Sequence, residues 1–214
     1  MKLRQLEIAL QDIQTFQNPK IHLEQYVTTP HLAACLLHTA ESQFGDVVGK
    51  AVCDLGCGCG ILSIGSSILG ASYCLGVDID KEALGIFLSN CEDYELESTV
   101  DCVHSDVVKL ASCRNVLRKK QFDTVIMNPP FGTKSNKGID MDFLKAASQL
   151  AREAVFSLHK SSTRGHVVKK AHDMGMNANV IAEMRYNLDA SYKFHKKKSK
   201  DIEVDFIRFT FNTK

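Results

Sequence analysis

Residues 128–134 read Asn-Pro-Pro-Phe-Gly-Thr-Lys and directly follow the apolar run Phe122-Asp123-Thr124-Val125-Ile126-Met127. Proline gives no N–H to a strand ladder, so two in succession end the strand at Asn128. An amide, two rigid imides and an aromatic ring then stand at the strand end. An amine held between the Asn128 side-chain oxygen and the Pro129 carbonyl would donate both its hydrogens. Its nitrogen lone pair would turn out of conjugation and towards an electrophile. Pro129 and Pro130 fix the backbone that aims the carbonyl, and Phe131 can stack on a planar base or amide. The motif has no carboxylate, histidine or lysine before Lys134. It therefore suits a reaction governed by positioning and charge accommodation, such as methyl transfer from a sulfonium to an amine. Read only as structure, the same residues are a turn with Phe131 covering the sheet end.

A second group is Asp54-Leu-Gly-Cys-Gly-Cys-Gly60. Gly56, Gly58 and Gly60 allow positive φ and let a ligand approach the backbone. A dinucleotide fingerprint would place glycine at position 61, where this chain has Ile61. Asp78 closes the next apolar run and can accept two hydrogen bonds from a ribose diol. A nicotinamide dinucleotide and S-adenosylmethionine both carry a ribose, so Asp78 points to a nucleoside and leaves its identity open. The structural alternative is a tight strand-to-helix turn, with Asp78 as a helix cap.

The elements that must position these groups alternate along the chain. A helical period over 2–16 is broken by Asn18-Pro19. Thr29-Pro30 starts a helix that runs to 44, with threonine as cap and proline in the first turn. Strands are expected at 51–55, 72–77, 100–104, 122–127, 154–158, 180–186 and 202–211. Helices are expected at 61–69, 81–94, 142–152 and 162–174. The order implies an α/β doubly wound, mostly parallel seven-stranded sheet with helices on both faces. The last two strands are joined only by a loop, so a final strand runs antiparallel. In such a sheet ligands bind outside the carboxyl ends of the strands. That rule brings together the glycine turn, Asp78 and Asn128.

The 214 residues fit one domain, and 44% hydrophobic content fills a sizeable core. The net charge of +1 names no partner, yet residues 160–200 hold ten Lys/Arg against three Asp/Glu. Within that stretch Lys196, Lys197 and Lys198 lie beside Tyr192, Phe194 and His195, which offers charge and stacking to nucleic acid. A solvated turn is the alternative. Most of the eight cysteines sit in apolar segments as buried free thiols do, and with no signal peptide a reducing compartment is expected. Cys57-x-Cys59 lacks a second ligand pair, so no metal is expected. No apolar run reaches the ~20 residues of a membrane span.

The DLGCGCG, GVDID, Ser105-Asp106 and NPPF segments resemble motif I, the ribose acid, the adenine position and motif IV of class I, amino-directed S-adenosylmethionine methyltransferases. LEQYVTTP (23–30), NPPFGTK, FSLHKSST (156–163) and SYKFHKKKSKDIEVDFIRF (191–209) further resemble the methyltransferase-like protein 5 family. The resemblance implies a Rossmann-like methyltransferase fold of one domain, with 1–45 as a helical segment packing over the cofactor site. It implies methylation of N6 of one adenosine in small-subunit (18S) ribosomal RNA, in nucleus (nucleolus) and cytoplasm. It also implies a heterodimer with a small zinc-binding methyltransferase activator, and places strand 100–104 at the sheet edge, open to strand addition. Carried over, Gln25 and Thr28 close over the methionine part of the cofactor, and Gly56, Cys59 and Ile61 line it. Asp78 holds the ribose, Asp106 with Val107 the adenine, and Asn128, Pro129, Pro130 and Phe131 the target base.

Four rival readings carry discriminating features. Protein glutamine methylation uses the same NPP logic but predicts no RNA binding, against the basic stretch. Guanine N2 is a further amine target of such a motif. A dinucleotide oxidoreductase is opposed by Ile61 and by NPPF, and a non-catalytic subunit by the intact NPPF.

Overall fold

The computed structural model describes residues 1–110, 120–132, 136–189 and 199–211. Seven strands form one sheet: β1 (Ala51–Leu55), β2 (Tyr73–Asp78), β3 (Val100–His104), β4 (Phe122–Met127), β5 (Ala151–Lys160), β6 (Met176–Asp189) and β7 (Ser199–Phe211). Their order is β3-β2-β1-β4-β5-β7-β6. The first five run parallel, and β7 is antiparallel to both β5 and β6. The expected edge position of β3 and the expected antiparallel strand are both present.

Helices α1 (Leu3–Ala9), α2 (Pro30–Phe44), α3 (Ile61–Leu69) and α4 (Lys81–Asp93) supply one apolar layer, around Leu6, Leu37, Ile64 and Phe87. The opposite layer comes from α5 (Val107–Leu110), α6 (Ile139–Leu150) and α7 (Arg164–Asp173), around Leu144, Ala147, Val167 and Ala171. Both sheet faces are thus covered, as a parallel sheet requires. No helix among the described residues is long and apolar enough to cross a membrane. The start of α2 follows its sequence: Thr29 Oγ1 accepts from Leu32 N–H at 3.2 Å, and Pro30 occupies the first turn.

The first helix stops at Ala9, short of the expected 2–16. The cause is Asn90 of α4. Its Oδ1 accepts from Gln14 N–H at 2.9 Å and its Nδ2 donates to Gln14 O at 3.0 Å. Tyr94 O–H donates to Ala9 O. These long-range bonds take up backbone groups that a continued helix would have used. Residues 14–28 instead cross the carboxyl ends of the strands as a strap before α2 begins.

Candidate active site

The sheet order reverses at β1 and β4, and a crevice opens beyond their carboxyl ends. After β1 the chain turns through Gly58 and Gly60, at φ +53° and +93°. Gly56 N–H and Cys57 N–H donate to Val77 O at 2.8 and 3.2 Å. A Cβ at Gly58 would stand 2.8 Å from the Phe16 ring, and one at Gly60 2.5 Å from Phe87. The turn has no room for side chains at either position.

Asp78 helps to build this turn. Its Oδ2 accepts from Gly58 N–H at 2.8 Å and its Oδ1 from Asp80 N–H at 2.9 Å. The Ile79 N–H adds a weaker interaction; a carboxylate has about four lone-pair sites, so acceptor capacity remains for a ligand. Burial pushes its carboxyl up, against the pull of those N–H bonds.

Two cavities flank the turn. The larger, about 360 Å³, is bounded by Gly56, Gly58, Asp78, Asp106, Val107, Gln25, Asn128 and Pro130. The smaller, about 60 Å³, is bounded by Asp54, Gly56, Cys59, Ile61, Thr28 and Asn128. Phe16 of the strap borders both.

Asn128 lies where they meet. Its Nδ2 donates to Thr28 Oγ1 at 2.9 Å and, at a longer 3.4 Å, to the Tyr186 hydroxyl. Its Oδ1 is buried and has no hydrogen-bond partner among the described residues. Tyr186 O–H donates to Val27 O at 3.0 Å, and its ring meets Phe131 edge-on at 5.8 Å.

The model of the ribosomal protein L11 methyltransferase family (PrmA) matches residues 28–129. The chain is 57% identical over 210 residues to the rRNA N(6)-adenosine-methyltransferase METTL5 of Danio rerio, covering 98% of this chain and 99% of that one. It is 55% identical over 213 residues to Mettl5 of Drosophila melanogaster, covering 100% and 98%. The chain belongs to the METTL5 family. Among solved structures, PH1948 of Pyrococcus horikoshii is similar over 100% of this chain and 99% of that one, with TM-score 0.86 and 33% identity.

Every expected cofactor residue lies on one of the two cavities. Gln25 also secures the strap: its Nε2 donates to Asp80 Oδ2 and its Oε1 accepts from Lys20 N–H, both at 2.7 Å. Lys20 Nζ reaches Asp80 Oδ1 at 2.6 Å, and this partner raises the lysine's pKa. Asn136, beyond the NPPF motif, donates to His22 O and Glu24 Oε1 at 2.8 and 3.1 Å. Phe131 is 8% exposed and borders neither cavity. Lys196, Lys197 and Lys198 lie outside the described residues. Burial pushes Cys57 well above the usual thiol range and Cys59 up to about 12.

Three site residues escaped the sequence reading. Asp54 is 1% exposed; its Oδ2 accepts from Ser63 Oγ at 2.8 Å, and its Oδ1 has no partner among the described residues. Burial pushes its carboxyl up to about 7, against the Ser63 hydrogen bond and with help from the Asp78 charge. An acid inside the apolar run 51–55 was the available signal. Phe16 and Tyr186 gave none, since both sit on segments whose path is set by distant partners.

Proposed function

We propose that this chain transfers a methyl group from S-adenosylmethionine to N6 of an adenosine in small-subunit (18S) ribosomal RNA. Family membership carries the coarser statement: an S-adenosylmethionine-dependent methyltransferase acting on adenine N6 of ribosomal RNA. The small subunit is the finer step, and it rests on the sequence resemblance. The observation that carries the amine chemistry is Asn128 Oδ1, buried at the strand end with no partner among the described residues. A buried acceptor left without a donor costs about 1–3 kcal/mol, so a ligand N–H belongs there.

The residues also fit the cofactor. The turn at Gly58 is closed to side chains, Asp78 keeps lone pairs for a ribose diol, and Asp54 offers an unpartnered acceptor to an ammonium. In this reading Asp106 and Val107 flank the adenine, Gln25 and Thr28 close over the methionine part, and Gly56, Cys59 and Ile61 line the cofactor at the glycine turn. S-adenosylmethionine supplies the electrophilic methyl group. Asn128 Oδ1 and the Pro129 carbonyl take the two N6 hydrogens and aim the lone pair. Phe131 stacks on the adenine, which must leave any helix to arrive. No side-chain base is needed: the cofactor would leave as its neutral thioether, and N6 bearing the methyl group and both hydrogens is a strong acid whose extra proton would pass to water.

Nucleoside mass spectrometry of ribosomal RNA treated with the enzyme and isotopically labelled cofactor tests the function. Labelled N6-methyladenosine from the small subunit is the expected product. Label on a ring nitrogen, a ribose oxygen or a protein glutamine would overturn the reading.

Asp54 gives a pH-dependent expectation. Its carboxyl is raised to about 7 in the folded chain, from about 3.8 when exposed. The free protein therefore holds an extra proton between those values, and its stability falls as pH rises through that window. An ammonium beside Asp54 favours the ionised form, so cofactor binding should release a proton near pH 6. Affinity should rise with pH and level off above about 7. Titration calorimetry in buffers of different ionisation enthalpy measures the release. Asp54→Asn should abolish it, and equal release from both proteins would remove Asp54 from the site.

The partner proposal is a small zinc-binding methyltransferase activator that adds a strand to β3. This strand is the sheet edge, and Tyr73, Ile79 and Leu88 nearby are exposed. An unguarded edge with apolar surroundings invites pairing with another chain. Expressed alone the chain should be poorly soluble, and co-expression with the activator should restore yield. A monodisperse, fully active monomer would count against the proposal. The lysine triplet is proposed to contact RNA phosphates, and nucleolus and cytoplasm to be where the protein meets its substrate.

A further inference from the structure

Strand β6 changes face part-way along. Ala178 and Val180 pack on the α6–α7 side, opposite Phe209 and Ile207 of β7. One extra residue, Ile181, then interrupts the ladder, and Ala182, Met184 and Tyr186 pack on the other side, opposite Phe206, Val204 and Ile202. A one-residue offset moves every later side chain to the opposite face, and bulges re-aim side chains in this way near active sites. Without the bulge Tyr186 would face away from Asn128. With it, the 4%-exposed ring stands edge-on to Phe131 and the hydroxyl reaches Asn128.

The hydroxyl has one proton, which goes to Val27 O at 3.0 Å. Burial raises the phenol's pKa, so that proton stays. Towards Asn128 the Tyr186 oxygen can then only accept. Thr28 Oγ1 accepts from the same Nδ2 at 2.9 Å, and its own proton goes to the Tyr186 oxygen, so Thr28 too can only accept from the amide. A flipped amide would set Oδ1 against the Tyr186 oxygen, with no proton between them. The observed orientation instead turns Oδ1 to the side where it is buried with no partner among the described residues.

We propose that Tyr186 is a positioning residue: with Thr28 it locks the Asn128 amide so that its oxygen meets the incoming base, selecting bases with an amino group there over bases with a carbonyl. The inference rests on Asn128 being the acceptor of the target amine.

The test compares wild type, Tyr186→Phe, the double variant Thr28→Val/Tyr186→Phe, and Asn128→Ala at saturating cofactor. Tyr186→Phe keeps the ring against Phe131 and removes only the hydroxyl. Its kcat should fall about tenfold with RNA KM near wild type, and its melting temperature by a few degrees, because Val27 O loses its donor. The double variant should approach Asn128→Ala. The second readout is competitive inhibition by an RNA oligonucleotide carrying inosine in place of the methylated adenosine. Inosine presents a carbonyl where adenine has its amine, so wild type should bind it about tenfold or more weakly than the adenosine RNA. In the double variant the amide can turn its NH₂ to that carbonyl, and the ratio should shrink to about twofold or less. If the double variant does not fold, Tyr186→Phe alone carries this comparison, with a smaller narrowing. A loss of rate with an unchanged inosine ratio would mark Tyr186 as merely structural and overturn the proposal, as would wild-type kcat in Tyr186→Phe. An active Asn128→Ala would instead overturn the acceptor reading beneath it. An inactive Asn128→Ala beside an unaffected Tyr186→Phe would sink the Tyr186 inference alone.

Discussion

Asn128→Ala should fold, should bind S-adenosylmethionine with unchanged affinity, and should lose about two to three decades of kcat. The scale is that of removing one preorganised polar group from a transition state. Asn128 contributes little to folding, since the two bonds it makes are to hydroxyls that keep other roles. Tyr186 still has Val27 O, and Thr28 lies at the cavity margin. A stability cost of about 1 kcal/mol follows from losing those bonds. The amide's contribution to catalysis is different in kind. In the proposed mechanism its oxygen, without a partner among the described residues, receives the target amine, so its energy is spent on orienting the nucleophile. An interaction of this sort lowers kcat more than RNA affinity when removed. Single-turnover methylation at saturating cofactor reads the chemical step directly, and near-normal turnover would end the proposed mechanism. Phe131→Ala should behave otherwise. It removes a stack worth about 1–3 kcal/mol per base and also a side chain that is only 8% exposed. Binding, rate and melting temperature should fall together, and that pattern separates the two members of the motif.

Much of the fold was legible because local chemistry and long-range packing agree. The β1, α3, β3 and β4 segments have the bounds their apolar runs predicted, each closed by glycine, proline or a polar turn. Pro129-Pro130 ended β4 for a reason internal to proline. The departures share a different cause. The first helix ended early because Asn90, far along the chain, captured the Gln14 backbone. Strands β6 and β7 outran the expected 180–186 and 202–211, because each extends the other's ladder beyond its apolar stretch. Strict period-two alternation would put Val180 and Tyr186 on one face, and the single unpaired Ile181 puts them on opposite faces. The NPPF motif and Asp78 announced themselves, while Tyr186 and Phe16 did not. An aromatic in a strand or a strap gains its role only from what the fold carries up to it. Asp54 was visible but ambiguous. A buried acid on a strand is informative once its second oxygen is found without a partner.

Asp78→Ala should lower cofactor affinity by at least two decades, and by a mechanism wider than ribose contact. Hydrogen bonds to a charged acceptor are worth about 1.5–3 kcal/mol each, so losing a ribose diol alone accounts for roughly 10²-fold or more. The structure adds a second loss. The same carboxylate accepts from Gly58 N–H and Asp80 N–H, and so joins the glycine turn to the start of α4. Asp80 in turn receives Lys20 and Gln25 from the strap. Removing Asp78 therefore leaves Gly58 N–H without its acceptor and loosens a chain of contacts leading to the cavity wall. The rest of the turn is held separately, by Gly56 and Cys57 on Val77 O, so the protein should still fold, with a lowered melting temperature before any ligand is added. Asp78→Asn distinguishes the two losses. An amide keeps one acceptor oxygen and must turn its NH₂ towards one of the two backbone N–H groups, Gly58 or Asp80, while a ribose hydroxyl can still accept from that NH₂. Its affinity should lie between wild type and Asp78→Ala, and its ligand-free melting temperature should report which bond the oxygen keeps. Calorimetry showing unchanged affinity in Asp78→Ala would remove this residue from the cofactor site. Lost affinity with an unchanged ligand-free melting temperature would confine Asp78 to ribose binding and leave the glycine turn to Val77.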